Sequence, residues 1–365
     1  MGRAPEKPKK PSTRAPLACA AAAALLAGCA SVLGADFDRP GAPSPDAGAL
    51  GSLEADGGPV ARSDAGNTYG GDTPSTEDDA CSGGCGVSAV GPGVVLFGGD
   101  GSTIVGDTWF WNGAAWGRVM VAAPSPRYGA AAANVGGNVL VFGGRAYTTT
   151  VYGDTWLWNG SAWTNVGSTG PSERAFAAVA TLGSKVVLFG GSDGAHVLGD
   201  TWVWDGAWTL ASASGPPARQ DATAATLDGK VVLFGGNDGQ GYLGDTWLWD
   251  GLGWKVAPVA GPGARADAAM ATVDGEVVLF GGFDGSRYFG DTWTWSGAAW
   301  SLAASTGPSP RQESATATFG GKIVLFGGVD GAGYLGDTWT WSSGAWKLAA
   351  AGGPSPRAYG AMGSR

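Results

Sequence analysis

Val231-Val232-Leu233-Phe234-Gly235-Gly236-Asn237-Asp238-Gly239 runs on to Gly244-Asp245-Thr246-Trp247-Leu248-Trp249. A continuous apolar run ends in a double glycine; after a loop comes a second run that carries two tryptophans. The same statement is made six times. The phenylalanines before the double glycines are Phe97, Phe142, Phe189, Phe234, Phe280 and Phe326, separated by steps of 45, 47, 45, 46 and 46 residues. A period of this length and regularity marks a repeat architecture, in which each unit buries its faces against its neighbours.

Each unit carries four strand signals. In the fourth copy they are expected at 219–227, 230–234, 246–249 and from Trp254 onward. The second of these is apolar throughout and is expected to be buried on both faces. The third alternates with period two, which puts Trp247 and Trp249 on one side of the sheet. Asp228-Gly229 reads as a tight turn, and Asp250-Gly251, with its equivalents Asn112-Gly113, Asn159-Gly160 and Asp205-Gly206, reads as a type I′ hairpin turn, since such pairs tolerate positive φ. Four short antiparallel strands per unit of about 46 residues make one propeller blade. The fold class is therefore all-β, a six-bladed propeller.

Phe-Gly-Gly-x-Asp-Gly, a strand with two tryptophans, a lone tryptophan and then Pro-x-x-Arg resembles the kelch motif, in six copies over residues 81–365. The resemblance implies a kelch-type propeller of six blades. One departure is that the innermost strand has alanines where many kelch sequences place a histidine.

Regular positions read as scaffold. All 18 tryptophans fall in the repeats, three per copy. A sugar-stacking platform needs one or two aromatic rings, whereas packing between blades needs the same ring in every blade. Asp107, Asp154, Asp200, Asp245, Asp291 and Asp337 recur without a second acid beside them. Six arginines match them: Arg127, Arg174, Arg219, Arg265, Arg311 and Arg357. Turn capping or Asp–Arg pairing fits these better than calcium. Arg357 opens an innermost strand whose blade never follows, which predicts that the C-terminal strand closes the ring on Val94 to Phe97. The rival is a local strand from Cys85 to Val90.

Residues 1–28 read as a lipoprotein signal peptide. Arg3, Lys7, Lys9, Lys10 and Arg14 precede an apolar run from Leu17 to Leu26, too short to span a bilayer. Leu26-Ala27-Gly28-Cys29 resembles the bacterial lipobox, which implies lipidation of Cys29. Residues 29–80 are rich in Gly, Ala, Pro, Ser and Asp and read as a flexible tether. The leader carries a net +4 and residues 30–80 a net −8, so of the chain's −9 about −5 falls on the repeats. No basic stripe is available for nucleic acid. Cys81 and Cys85 are expected to form a disulfide in an oxidising compartment.

Function should sit where the copies differ. Two residues past each arginine stand Gly129, Phe176, Asp221, Asp267, Glu313 and Tyr359, at the start of the inner strands and so near the mouth of the central channel. The loops after the double glycines, on the same face, add Arg145, Tyr147, His196, Asn237, Tyr242, Phe283, Arg287, Tyr288 and Tyr334. Asp221, Asp267 and Glu313 beside Tyr242, Arg287 and Tyr288 suit a polar ligand, a glycan or a peptide. The plainer reading is three solvated acids lining a wet channel. No metal or cofactor is expected, since kelch-like copper oxidases need histidine ligands and His196 stands alone. The reading is a non-catalytic, monomeric, lipid-anchored cell-envelope module, in the outer membrane or at the cell surface, that binds a protein or glycan. Its alternatives are an envelope sugar isomerase or epimerase, by fold analogy, and a purely structural surface protein.

Overall fold

A computed structural model describes residues 1–2 and 91–365 apart from 148, 213 and 214. The chain divides into two units, Met1–Gly57 and Gly58–Arg365. The leader beyond residue 2, the whole tether with Cys29, Cys81, Cys85 and the rival closing strand at 85–90 lie outside the described residues.

The described part is six four-stranded antiparallel sheets arranged as blades. In the fourth blade the strands are Thr223–Leu227, Lys230–Phe234, Thr246–Trp249 and Trp254–Ala257, from the innermost outward. The second strand of each blade is the core: Val231, Val232, Leu233 and Phe234 are all at most 1% exposed. The innermost strands pair with it through small residues such as Ala225 and Ala271, which lets six strands converge on one axis. Among the described residues no helix is long and apolar enough to cross a membrane.

Three local expectations are corrected. The innermost strand of the fourth blade begins at Thr223, not Arg219, because Asp221 has φ +57 and cannot continue a strand. The Asn-Gly and Asp-Gly pairs at 112, 159, 205 and 250 are not type I′ turns, for only their glycines have positive φ. In three of these turns the Asx side chain instead accepts the N–H groups two and three residues on, as Asp250 does from Leu252 and Gly253 at 3.0 Å each. Asp228-Gly229 does take the double-positive geometry, at +49 and +70. The double glycine ends the second strand in five blades, but in the first the strand Val94–Asp100 runs through it with a bulge and pairs with Ile104–Trp111.

The ring closes on itself. Ala361–Ser364 pairs antiparallel with Val94–Phe97 and supplies the innermost strand of the first blade. At the opposite end of these inner strands the blades are stitched by side chains. The Thr181, Thr226, Thr272 and Thr318 hydroxyls each donate to the carbonyl of the corresponding residue one blade earlier. Asn134 stands in this series where the others have threonine. Its amide grips Ser364 twice, Nδ2 donating to Oγ and Oδ1 accepting the backbone N–H, both at 2.8 Å. The two residues that break the threonine pattern, Asn134 and Ser364, are the two that meet across the seam.

Candidate functional site

The repeated polar residues are used up by the scaffold. Each buried arginine forms a two-pronged bond with the aspartate of its own blade. Arg265 Nη1 lies 2.6 Å from Asp291 Oδ1 and Nη2 3.2 Å from Oδ2. The same arginine donates to the carbonyl of the first glycine of the pair, Gly281, at 3.0 Å. The first tryptophan of the strand adds an indole N–H to the aspartate, Trp293 to Asp291 at 2.7 Å. Arg357 serves Asp107 across the seam in the same way. Burial pushes these carboxyls up, but the arginine hydrogen bonds and charge with the indole N–H outweigh it and hold all six below the usual carboxylate range. Among the described residues no group of three or more His, Cys, Asp or Glu is placed to hold a metal ion.

The third tryptophan of each copy joins blades. Trp300 donates to Thr246 Oγ at 2.9 Å, one blade back, and its ring meets Phe234 of that blade edge-on at 5.4 Å. The other five repeat both contacts, Trp116 doing so across the seam with Thr338 and Phe326. These rings are engaged in packing between blades, three of them buried and three half-buried.

What remains is the channel mouth. Gly129, Phe176, Asp221, Asp267, Glu313 and Tyr359 all have positive φ, between +53 and +64. This turns each backbone so that its N–H points to the next blade round. The Phe176 N–H donates to the Gly129 carbonyl, Asp221 to Phe176, Asp267 to Asp221, Glu313 to Asp267, Tyr359 to Glu313, and Gly129 to Tyr359, at 2.8–3.3 Å. Six backbone hydrogen bonds, one per blade, form a closed hoop. Five of its six residues are not glycine, and a left-handed residue with a side chain is costly enough to need support from its surroundings. The hoop is that support: each strained residue both donates to and accepts from its neighbours.

The hoop lines a cavity of about 150 Å³ on the axis, and its side chains divide into two arcs. Asp221, Asp267 and Glu313, in consecutive blades, make an acidic arc. Phe176 and Tyr359, with Tyr128 beside Gly129, make an aromatic arc. Phe176 and Tyr359 lie 5.0 Å apart, and Tyr128 is 5.9 Å from each. Burial pushes the acids up, Asp221 to about 7, Glu313 to about 8, and Asp267 well above its ordinary value, and repulsion from neighbouring carboxylates adds to it at Asp267 and Glu313. Partial relief comes from hydrogen bonds. The Tyr359 hydroxyl bonds to Asp267 and Glu313, and Asp221 shares a proton with Asp267. Gln220 Nε2 donates to Asp221 at 3.0 Å and Gln312 Nε2 to Glu313 at 2.7 Å. Solvent in the channel still reaches all three, which stay half-buried.

The loop residues named from sequence fall into four groups. Tyr242 and Tyr288 flank the acidic arc, and the carboxylates near each push its phenol up after burial has done so. Phe283 stacks between them, 6.1 Å from Tyr242 and 4.9 Å from Tyr288. Tyr147 and Tyr334 are exposed and converge on one acceptor, Asp100, with Tyr334 at 3.0 Å. Arg145 lies over the aromatic arc, its guanidinium carbon 6.0 Å from the Tyr128 ring. The remaining three serve their own turns. His196 is exposed and bonds Asp193 at 3.2 Å, Arg287 bonds Asp284 at 3.2 Å, and Asn237 Oδ1 caps the Gly239 N–H at 2.7 Å. Arg287 therefore does not join the acids beside it in sequence space.

Sequence reasoning missed Tyr128, Asp100, Gln220 and Gln312. Tyr128, Gln220 and Gln312 share one offset, a single residue past the arginine, and the departures at that offset were a readable signal. Asp100 gave none, because its tyrosines come from the second and sixth blades. A larger hollow of about 360 Å³ opens at the outer rim of the first blade between Val105, Met120 and Pro126. Its aspartate, Asp107, is already held by Arg357, and nothing convergent lines it.

Two family models match the sequence. The KLHDC2/KLHL20/DRC7 Kelch-repeats domain matches residues 84–250, and the Kelch motif matches residues 264–305. No curated protein matches the chain.

Proposed function

The chain is a six-bladed kelch-repeat propeller, and from that premise we propose that it is a non-catalytic, monomeric protein-interaction module of the bacterial cell envelope. In this reading Cys29 carries lipid and residues 30–80 tether the propeller away from the membrane surface. The partner docks on the face that holds the long loops and the channel mouth. The observation that carries the reading is the distribution of irregularity. The opposite face is made of short turns, whereas the loop face gathers the exposed Tyr147 and Tyr334 and the half-buried Tyr242 and Tyr288. Aromatic side chains presented by a rigid scaffold are the usual anchors of a protein interface. The non-catalytic reading is supported by His196, the chain's one imidazole, being engaged within its own turn.

The test is photocrosslinking in cells that make the full chain. A photoreactive residue at position 242 or 288 should give discrete protein adducts, and one at 138 or 184, on the opposite face, should give none. Adducts from 138 or 184 alone overturn the reading. Loss of fatty-acid labelling in Cys29→Ala tests the anchor.

A second reading is favoured by the mouth itself, where an acidic and an aromatic arc enclose a volume suited to one sugar unit. Glycan binding there should be weakened at least tenfold by Asp267→Asn with Glu313→Gln. Unaltered affinity removes the mouth from consideration.

A further inference from the structure

The two faces of the propeller differ in charge, and the difference names the chemistry of the docking partner. Once the six arginine–aspartate pairs are set aside, the loop face keeps a carboxylate at the same loop position in four blades, Asp193, Asp238, Asp284 and Asp330, and the first blade carries Asp100 one residue earlier in its loop. The acidic arc and Glu173 add four more. The loops of that face answer with only Arg145 and Arg287. Burial pushes the Asp193 carboxyl up but its turn N–H groups and His196 outweigh it, and turn N–H and hydroxyl groups act on Asp238 and Asp284, so all three are held below the usual carboxylate range and stay charged. The turns of the opposite face carry both signs in near balance, with Lys185 bonded to Asp205 and Lys255 to Asp250. Residues 30–80, at net −8, match the loop face in sign and do not complement it.

We infer that the loop face docks a basic segment of a partner protein, rich in lysine and arginine and extended enough to cross from one blade to the next. This rests on the interaction reading above and specifies its partner. Carboxylates spaced one per blade form a discontinuous ring, which an extended chain can follow and a compact acidic or neutral surface cannot. The aromatic groups add a second term of the same sign. Guanidinium and ammonium groups are attracted to the faces of aromatic rings, and Tyr242, Phe283 and Tyr288 stand among these carboxylates. Electrostatic complementarity of this kind sets partner choice and association rate, and it is weakened by salt.

The experiment uses the full chain in detergent and two fluorescent peptides, one rich in lysine and arginine and one rich in glutamate. The basic peptide should bind, and raising the ionic strength from about 0.01 M to about 0.15 M should weaken it severalfold. Asp193→Asn, Asp238→Asn and Asp284→Asn together should weaken it at least tenfold. Asparagine keeps the Oδ1 acceptor of each turn, so folding is preserved and is checked by an unchanged melting temperature. Asp205→Asn, Asp228→Asn and Asp274→Asn on the opposite face should change affinity less than twofold. Equal binding of the acidic peptide, equal loss from both triple variants, or no binding of the basic peptide overturns the inference. Crosslinks from positions 242 and 288 that persist in the loop-face triple variant would leave the interaction reading standing and sink this one.

Discussion

Asp291 and Asp267 belong to the same blade, and their environments push them in opposite directions. Asp291 is repeated in every copy, is held between an arginine fork and an indole N–H, and is more acidic than an ordinary carboxyl. Asp267 occupies a position that reads Gly, Phe, Asp, Asp, Glu, Tyr around the ring. It faces two other acids and is far less acidic than usual. A carboxylate whose counter-charge repeats with it is scaffold, and its energy is stabilising. A carboxylate whose neighbours are other acids costs stability, so it persists only if something other than folding uses it.

The largest effect should come from breaking the scaffold at its seam. Deleting residues 361–365 removes the innermost strand of the first blade and both bonds from Asn134, and exposes the Val94–Phe97 strand. We expect a loss on the order of 5 kcal/mol, seen as a collapse of the melting temperature. An unchanged melting temperature would mean that another segment fills the strand.

Next comes the comparison itself. Arg265→Met leaves Asp291 without its counter-charge and should cost about 3–5 kcal/mol in urea unfolding. Asp267→Asn removes an acid from a crowded arc and should be neutral or stabilising. If both variants lose stability equally, the two carboxylates are the same kind of residue and the division into scaffold and site fails. A smaller loss, about 1–2 kcal/mol, should follow Trp300→Phe, which keeps most of the ring but abandons Thr246 one blade back.

Most of the fold was legible in the sequence because each blade needs the same residues in the same places. The step of about 46 residues, three tryptophans per copy and six arginines matched to six aspartates imply the blades, and the count alone assigns Arg357 to the first blade. The turns were less legible. Asn112-Gly113 and Asp250-Gly251 look like type I′ pairs, yet four-residue connections with a capping side chain satisfy the same twist. At the mouth, the offset of two from the arginine picks out the right residues, but nothing local says that they turn left-handed and bond into a hoop. That property belongs to the ring, since each N–H finds its acceptor about 46 residues away or, for Gly129, across the seam at Tyr359. Arg287 shows the converse: its place beside the acids in the repeat alignment suggested partnership, and a nearer aspartate in its own turn took it.

The finest test separates the two regions by the sign of their pH dependence. For the scaffold aspartates the folded state is the weaker proton binder, so their stabilisation is present above the unfolded value of 3.8 and is lost as pH falls below it. For the mouth acids the folded state is the stronger binder. Between their unfolded values, 3.8 and 4.5, and their folded values of about 7 for Asp221 and about 8 for Glu313, the folded chain holds protons that the unfolded chain has released. Stability must therefore fall as pH rises through that window and level off above it. Channel water moderates the effect, so we expect Glu313 to contribute on the order of 1 kcal/mol to the decline between about pH 5 and about pH 8.5. Glu313→Gln should flatten that slope, because glutamine has no proton to lose, and should leave the acid limb near pH 3 unchanged. A basic-side slope identical in the two proteins would show that the arc is solvated like any surface acid, and that the hoop encloses water and no site.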